Sequence, residues 1–148
     1  MTYFKDLNPC SYFGKWSETL SAIGWLDMGN DFAKGAVSDE NFMALVRLCA
    51  DPWQPVAVAG RHRCPFCRFT GGPAEFIYRG VDVALGASNV FVPCGDRVFV
   101  APTMIVHYID AHEYAPPSEF QEAVMRCPEM RSFAYLKEMK LRRILVSR

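Results

Sequence analysis

Arg63-Cys64-Pro65-Phe66-Cys67-Arg68 and His107-Tyr108-Ile109-Asp110-Ala111-His112 frame the middle of this chain. Between Cys67 and His107 lie 39 residues. Within them Glu75-Phe76-Ile77-Tyr78, Ser88-Asn89-Val90-Phe91-Val92-Pro93 and Arg97-Val98-Phe99-Val100 are short, rich in β-branched and aromatic residues and bounded by turn residues, which predicts strands. Cys94-Gly95-Asp96 places a glycine where a hairpin loop wants one. Pro102 suits the first turn of a helix that then runs to about His112. The order is therefore C-x2-C, a β region, and H-x4-H on a helix, an arrangement that predicts one four-ligand zinc site tying loop to helix.

The chemistry of zinc sets the terms. The ion takes four thiolate or imidazole ligands in a tetrahedron, and two Cys separated by two residues grip it from one tight turn. His107 and His112 are five apart, about 140° around an ideal helix. The face between them carries Met104, Tyr108 and Ala111, and Asp110 points the other way, toward solvent. Both imidazoles reach one ion only if the last turn loosens near His112, and Pro116-Pro117 shortly afterwards gives a reason for it to do so. The expected ligands are Cys64, Cys67, His107 and His112. His62, two residues before Cys64, and Cys94, in the hairpin turn, stand as alternative ligands. A complete Cys2His2 set has no open position, so the expected zinc is structural and the chain is not expected to be an enzyme.

Upstream, residues 1–37 are punctuated by Gly14, Gly24, Gly29 and Gly35 and rich in aromatics, among them Trp16, Trp25 and Phe32. They predict a loop-rich segment that packs its aromatics on a core, with one helical turn between Trp16 and Trp25. Ser38 is a good N-cap for a helix over 38–50, followed by Asp39 and Glu40 at the positive end of its dipole and ended by Asp51-Pro52. Pro55-Val56-Ala57-Val58-Ala59 predicts a short strand. Downstream, Ser118-x-x-Gln121 has the pattern of a capping box and opens a helix over 118–126. Pro128 opens a last helix over about 129–145, which carries Met130, Phe133, Leu136, Met139, Ile144 and Leu145 and a basic tail of Lys137, Lys140, Arg142, Arg143 and Arg148.

At 148 residues the chain is the size of one domain, and 51% hydrophobic residues exclude a disordered one. The expected fold class is α+β: a small antiparallel sheet packed with about four helices in a single domain over 1–148, with a zinc-binding unit at 55–114 and C-terminal helices at 118–148. Sixteen basic and 16 acidic residues give zero net charge. A domain built to hold a phosphate backbone is usually basic, so nucleic-acid binding stands second, motivated by the ligand spacing and the basic tail. No basic n-region with an apolar run opens the chain, and no apolar stretch approaches the length of about 18 residues that spans a bilayer. The expectation is a cytoplasmic protein with reduced thiols and no membrane partner.

A thiol redox enzyme using Cys64 or a zinc-dependent enzyme ranks last among the readings, because local context argues against each. Cys64-Pro65-Phe66-Cys67 resembles the glutaredoxin active-site motif, but that chemistry needs a helix directly after the first Cys, and Thr70-Gly71-Gly72-Pro73 stops one within a turn. His112-Glu113 begins like the H-E-x-x-H metalloprotease motif, but position 116 is proline.

Four stretches taken together carry a resemblance: Tyr3-Phe4-Lys5-Asp6-Leu7, Ile23-Gly24-Trp25-Leu26-Asp27, His62-Arg63-Cys64-Pro65-Phe66-Cys67, and the run from Ala101-Pro102 through His107-Tyr108-Ile109 to His112-Glu113-Tyr114-Ala115-Pro116-Pro117-Ser118-Glu119-Phe120. They resemble a group of small uncharacterised bacterial proteins over roughly residues 1–125. The resemblance implies a bacterial cytoplasmic protein in which Cys64, Cys67, His107 and His112 act as a unit, and it implies no activity. Small proteins of this kind often sit beside toxins as immunity proteins. The expected function is accordingly binding of another protein, with a toxin as the concrete case and zinc as the scaffold.

Overall fold

Residues 89–102 form the hairpin at the centre of the molecule, and their alternation explains the layers around it. The computed structural model describes residues 2–58 and 60–145. Its elements in chain order are β1 (Leu20–Ala22), α1 (Asp39–Ala50), β2 (Glu75–Tyr78), β3 (Val81–Ala84), β4 (Asn89–Cys94), β5 (Arg97–Pro102), α2 (Ile105–His112), α3 (Ser118–Arg126) and α4 (Phe133–Leu141). The class is α+β, as expected. The antiparallel strands fall into two sheets, β2–β3 on its own and β4–β5 in a three-stranded sheet of order β1-β5-β4.

Val90, Val92, Phe99 and Ala101 point to one face of that sheet and Phe91, Val98 and Val100 to the other, and all seven are buried. A strand reads this way, apolar at odd and even positions alike, when both faces are covered. On the first face lie Phe42, Leu45 and Val46 of α1, Ile105 of α2 and Phe120 of α3. On the second lie Trp25, Trp53 and the α4 residues Tyr135 and Met139. The expected packing of the N-terminal aromatics holds: Phe4, Tyr12, Phe13 and Trp16 rest against this second cluster. Burying three layers in this way supplies the main stabilisation, at about 25 cal/mol per Å² of apolar surface. Pro93 is tolerated because β4 is an edge strand and need not donate outward.

Several boundaries differ from expectation. The expected helical turn lies at residues 16–20, where the Leu20 N–H donates to the Trp16 carbonyl at 2.8 Å, and residues 20–22 after it form a strand parallel to β5 that was not expected. Arg97 explains the strand, because its guanidinium donates to Ser21 Oγ and to the carbonyls of Glu18 and Leu20, holding three short residues against the sheet. Pro55-Val56-Ala57-Val58 forms no strand, and among the described residues nothing pairs with it; Ala59 and, in the expected basic tail, Arg148 lie outside the described residues. Pro102 ends β5 opposite Asn89 and does not open α2, which starts at Ile105. Ser118 is already inside α3, whose N-cap is Pro117; Gln121 reaches back to the Pro116 carbonyl. Ser132, not Pro128, opens α4, accepting from the Tyr135 N–H. Ser38 caps α1 as expected, accepting from the Asn41 N–H. Among the described residues no helix is long and apolar enough to cross a membrane.

Candidate metal centre

The loop before β2 is built to present two thiols. The Cys64 N–H donates to the Gly71 carbonyl at 2.7 Å and the Gly71 N–H to the Cys67 carbonyl at 2.8 Å, which closes the C-x2-C segment into a knuckle. Gly71 and Gly72 have φ of +70° and +86°, and a Cβ on Gly72 would stand 2.9 Å from Cys64 Cβ and 3.7 Å from His107 Nε2. The glycine doublet, legible in the sequence only as a turn, is thus what lets the chain fold back over the thiols. The loop is also tied to β3. His62 N–H donates to the Gly86 carbonyl, and Arg61 donates to the carbonyls of Leu85 and Pro73.

The two imidazoles come from α2. Its start is fixed by Thr103, fully buried, whose hydroxyl donates to the Ala84 carbonyl and accepts from the Gly86 N–H. Its end is fixed by Glu113 at φ 60°, with both the Glu113 and Tyr114 N–H groups donating to the Tyr108 carbonyl. The helix runs through His112 and stops directly after it, and its two closing bonds reach past the i−4 carbonyl, so the last turn opens near His112 as expected. The two rings meet with centroids 5.0 Å apart.

Four donor atoms converge. The Nε2 of His112 lies 3.4 Å from Cys64 Sγ and 3.6 Å from Cys67 Sγ, and that of His107 lies 3.4 Å from Cys67 Sγ. One ligand atom from each of Cys64, Cys67, His107 and His112 falls within 4.8 Å of all the others, so the group can hold a metal ion. Cys64 and His107 are buried; Cys67 and His112 are half-buried. Phe66, inside the knuckle, packs against His112 at 5.2 Å and Tyr108 at 5.9 Å, so the motif's own aromatic residue seats the knuckle on the helix.

The protonation states suit a cation. Burial pushes the Cys64 thiol up to about 11, against the pull of backbone hydrogen bonds from Phe66 and Cys67. Both imidazoles are held below their usual range. For His107 the cause is burial and then His112, opposed by Asp110; for His112 it is burial and then Lys34. The imidazoles are thus neutral at pH 7, each with a lone pair to give, and a bound cation is what would draw the proton off a buried thiol.

The alternative ligands lie elsewhere. His62 is packed between Trp25 and Tyr12, at 4.9 and 5.5 Å, and its buried Nε2 has no hydrogen-bond partner among the described residues. Cys94 ends β4, half-buried against the helix-side core. Neither is in the group of four.

Two hollows of about 740 and 670 Å³ open beside the centre and share Lys34, Asp110 and Glu113 at their common edge. The first reaches His112 and Phe66, the second Phe42 and Tyr78. The edge is fixed by backbone: the Gly35 N–H donates to the Glu113 carbonyl and the Ala115 N–H to the Ala33 carbonyl. Asp31, Asp110 and Glu113 have no salt-bridge partner among the described residues, and Lys34 lies over the Phe32 ring at 5.6 Å. Sequence reasoning missed this cleft because its walls, residues 28–37 and the end of α2, are far apart in the chain.

No curated protein and no solved structure matches the chain. A family model does match, over the stretch that holds the knuckle, both hairpins, His107 and His112, and that leaves α4 outside. It is the domain of unknown function DUF7919, matched by residues 2–125, and the chain belongs to that family.

Proposed function

We propose that the chain is a zinc-scaffolded binding protein whose partner is another protein. The convergence of the four donors carries the zinc reading. A tetrahedral ion with bonds of about 2.3 Å to sulfur and 2.0–2.1 Å to nitrogen spaces its S and N ligands by about 3.6 Å. The S···N separations are 3.4, 3.4 and 3.6 Å. Two thiolates, two neutral imidazoles and one divalent cation sum to zero charge, which a buried site tolerates where an isolated charge would not. Thiolate with imidazole in a tetrahedral set selects zinc among the common divalent metals. Four protein ligands leave no place for an activated water, so the ion acts as a clamp between loop and helix.

The cleft supports the binding half of the reading. It is anchored on α2, the helix that carries His107 and His112; its aromatic walls are of the kind enriched at protein interfaces, and the carboxylates at its rim would pair with a basic partner. Asp31, Asp110 and Glu113 would repel a phosphate backbone, which sets nucleic acid behind protein as the partner. An immunity-type role, with a toxin in this cleft, is the concrete version.

Protein purified without added metal tests the first half. One zinc per chain is expected, absent from Cys64→Ser and His107→Ala; metal-free protein of unchanged stability would overturn the zinc reading. For the second half, tagged chain is compared with an Asp110→Lys/Glu113→Lys variant in its native cells. A partner recovered at equimolar level by the first and lost by the second is expected. A partner retained by the variant would remove the cleft from the account.

A further inference from the structure

Helix α4 is apolar on two opposite sides. Its inner side carries Tyr135, whose hydroxyl donates to the Phe91 carbonyl at 2.7 Å, and Met139, 1% exposed. Its outer side carries Phe133, Leu136 and Leu141, exposed by 93%, 36% and 66%, and Leu145 just beyond is exposed by 55%. Surface helices ordinarily turn a polar side to water. The outer side is not simply hydrophobic, however. On an ideal helix Leu136, Lys140, Phe133, Lys137 and Leu141 follow one another in that order across an arc of about 140°. The two lysines thus sit between the apolar residues instead of around them. The only acidic residue of the helix, Glu138, is occupied by Arg142 at 2.6 Å. Exposed Arg143 extends the positive charge past the helix end.

We propose that this face of α4 docks on an anionic lipid surface. The placement of the lysines decides between lipid and protein. The centre of a protein–protein interface is depleted in lysine, because an ammonium buried there loses its water. At a bilayer surface the alkyl stem lies among the acyl chains and the ammonium reaches up to a headgroup phosphate, so lysine between phenylalanine and leucine is favourable. The charge is complementary as well: Lys137, Lys140 and Arg143 oppose phosphate and carboxylate headgroups, with no free acidic side chain on the face to repel them. The absence of a membrane partner expected from the sequence rested on the absence of a spanning segment, and a helix lying in the interface needs none. This surface is independent of the metal centre and of the cleft.

Co-sedimentation of the full chain with phosphatidylcholine vesicles, with and without about 30% phosphatidylserine, tests it. Binding to the anionic vesicles is expected, weakened about tenfold or more by Phe133→Glu and similarly by Lys137→Glu/Lys140→Glu or by high salt. Thermal stability measures the fold of each variant separately and should hold, because Phe133 is exposed. No binding to anionic vesicles, or equal binding by Phe133→Glu, would overturn the proposal. So would a lipid-free dimer in sedimentation velocity that Phe133→Glu abolishes, since a second copy would then be what covers the face.

Discussion

Gly72→Ala isolates the geometry of the knuckle from the general cost of its backbone. At φ +86° an alanine is strained whatever its surroundings, by about 1–2 kcal/mol. Gly95→Ala carries the same type of strain at φ +59° with nothing within 4 Å, so it serves as the control. What differs is the neighbour. At Gly72 the new methyl would stand 2.9 Å from Cys64 Cβ, where carbon atoms prefer about 3.5–4.0 Å. Something must yield by more than half an ångström. Cys64 is 2% exposed and its N–H is held by Gly71 at 2.7 Å, so the shift passes into its sulfur. Metal bonds tolerate about ±0.2 Å. Both variants should therefore lose about 1–2 kcal/mol in urea unfolding under chelator. Gly72→Ala alone should also lose metal affinity, about tenfold or more, in competition with a chromogenic chelator. Equal metal affinity in the two variants would refute the reasoning, because the close approach would then have no consequence at the sulfur.

Two further outcomes follow from single contacts. Asp6 accepts from the Gly24 N–H at 2.9 Å and the Tyr114 hydroxyl at 2.7 Å, so Asp6→Ala leaves two donors unpaired and should cost about 2–4 kcal/mol in urea unfolding. Burial raises the Asp6 carboxyl above its usual range, against those two hydrogen bonds. The folded state then holds its proton to higher pH than the unfolded one, so this group's contribution is greatest at low pH and falls as pH rises through the folded value. Measured against Asp6→Asn, which does not titrate and keeps an acceptor for the Gly24 N–H while its amide NH2 donates to the Tyr114 hydroxyl, wild type should gain relative stability as pH is lowered from about 7 toward 4; a flat difference would sink the assignment. Gly86→Ala should be severe, a loss of about 4 kcal/mol or more in unfolding. Its Cβ would overlap the His62 carbonyl at φ +74°, and a mild effect there would mean the loop sits differently on β3.

What could be read before folding was what local chemistry controls. Ser38 announced α1, the Cys94-Gly95-Asp96 turn announced the β4–β5 hairpin, and the two ligand pairs announced the centre, since two spaced cysteines and two histidines on a helix have few other uses together. What was missed depends on partners distant in sequence. Leu20–Ala22 contains no strand signal of its own; Arg97, more than seventy residues away, makes it one. The Arg79-Gly80 loop between β2 and β3 was legible in principle, because both residues take positive φ as a type I′ turn requires, but arginine is not the residue usually found there. The end of α2 was legible, but for a different reason. Pro116-Pro117 suggested that the last turn opens, and what opens it is Glu113 in the left-handed conformation, with the Glu113 and Tyr114 N–H groups sharing the Tyr108 carbonyl directly after His112.

The position of the four donors sets how much the metal can add to stability. An ion joining Cys67 to His107 closes a segment of 39 intervening residues. A covalent cross-link around a loop of that length removes about 4 kcal/mol of chain entropy from the unfolded state. Much of the segment is already folded into two hairpins, but those hairpins belong to different sheets, and among the described residues the knuckle is joined to α2 only through side chains and the backbone bonds near Gly86 and Thr103. Removing the ion should therefore loosen the knuckle and the adjoining β2–β3 hairpin first, while β4–β5, buried on both faces, stays protected. Hydrogen exchange with and without chelator reads this directly. Protection should fall in residues 61–84 and hold at Val90, Val92, Phe99 and Val100, with a midpoint lowered by about 10 °C, as a loss of about 4 kcal/mol implies for a chain of this size. Uniform loss of protection across both sheets would mean that the ion is a condition of the whole fold and not a clamp on one of its parts.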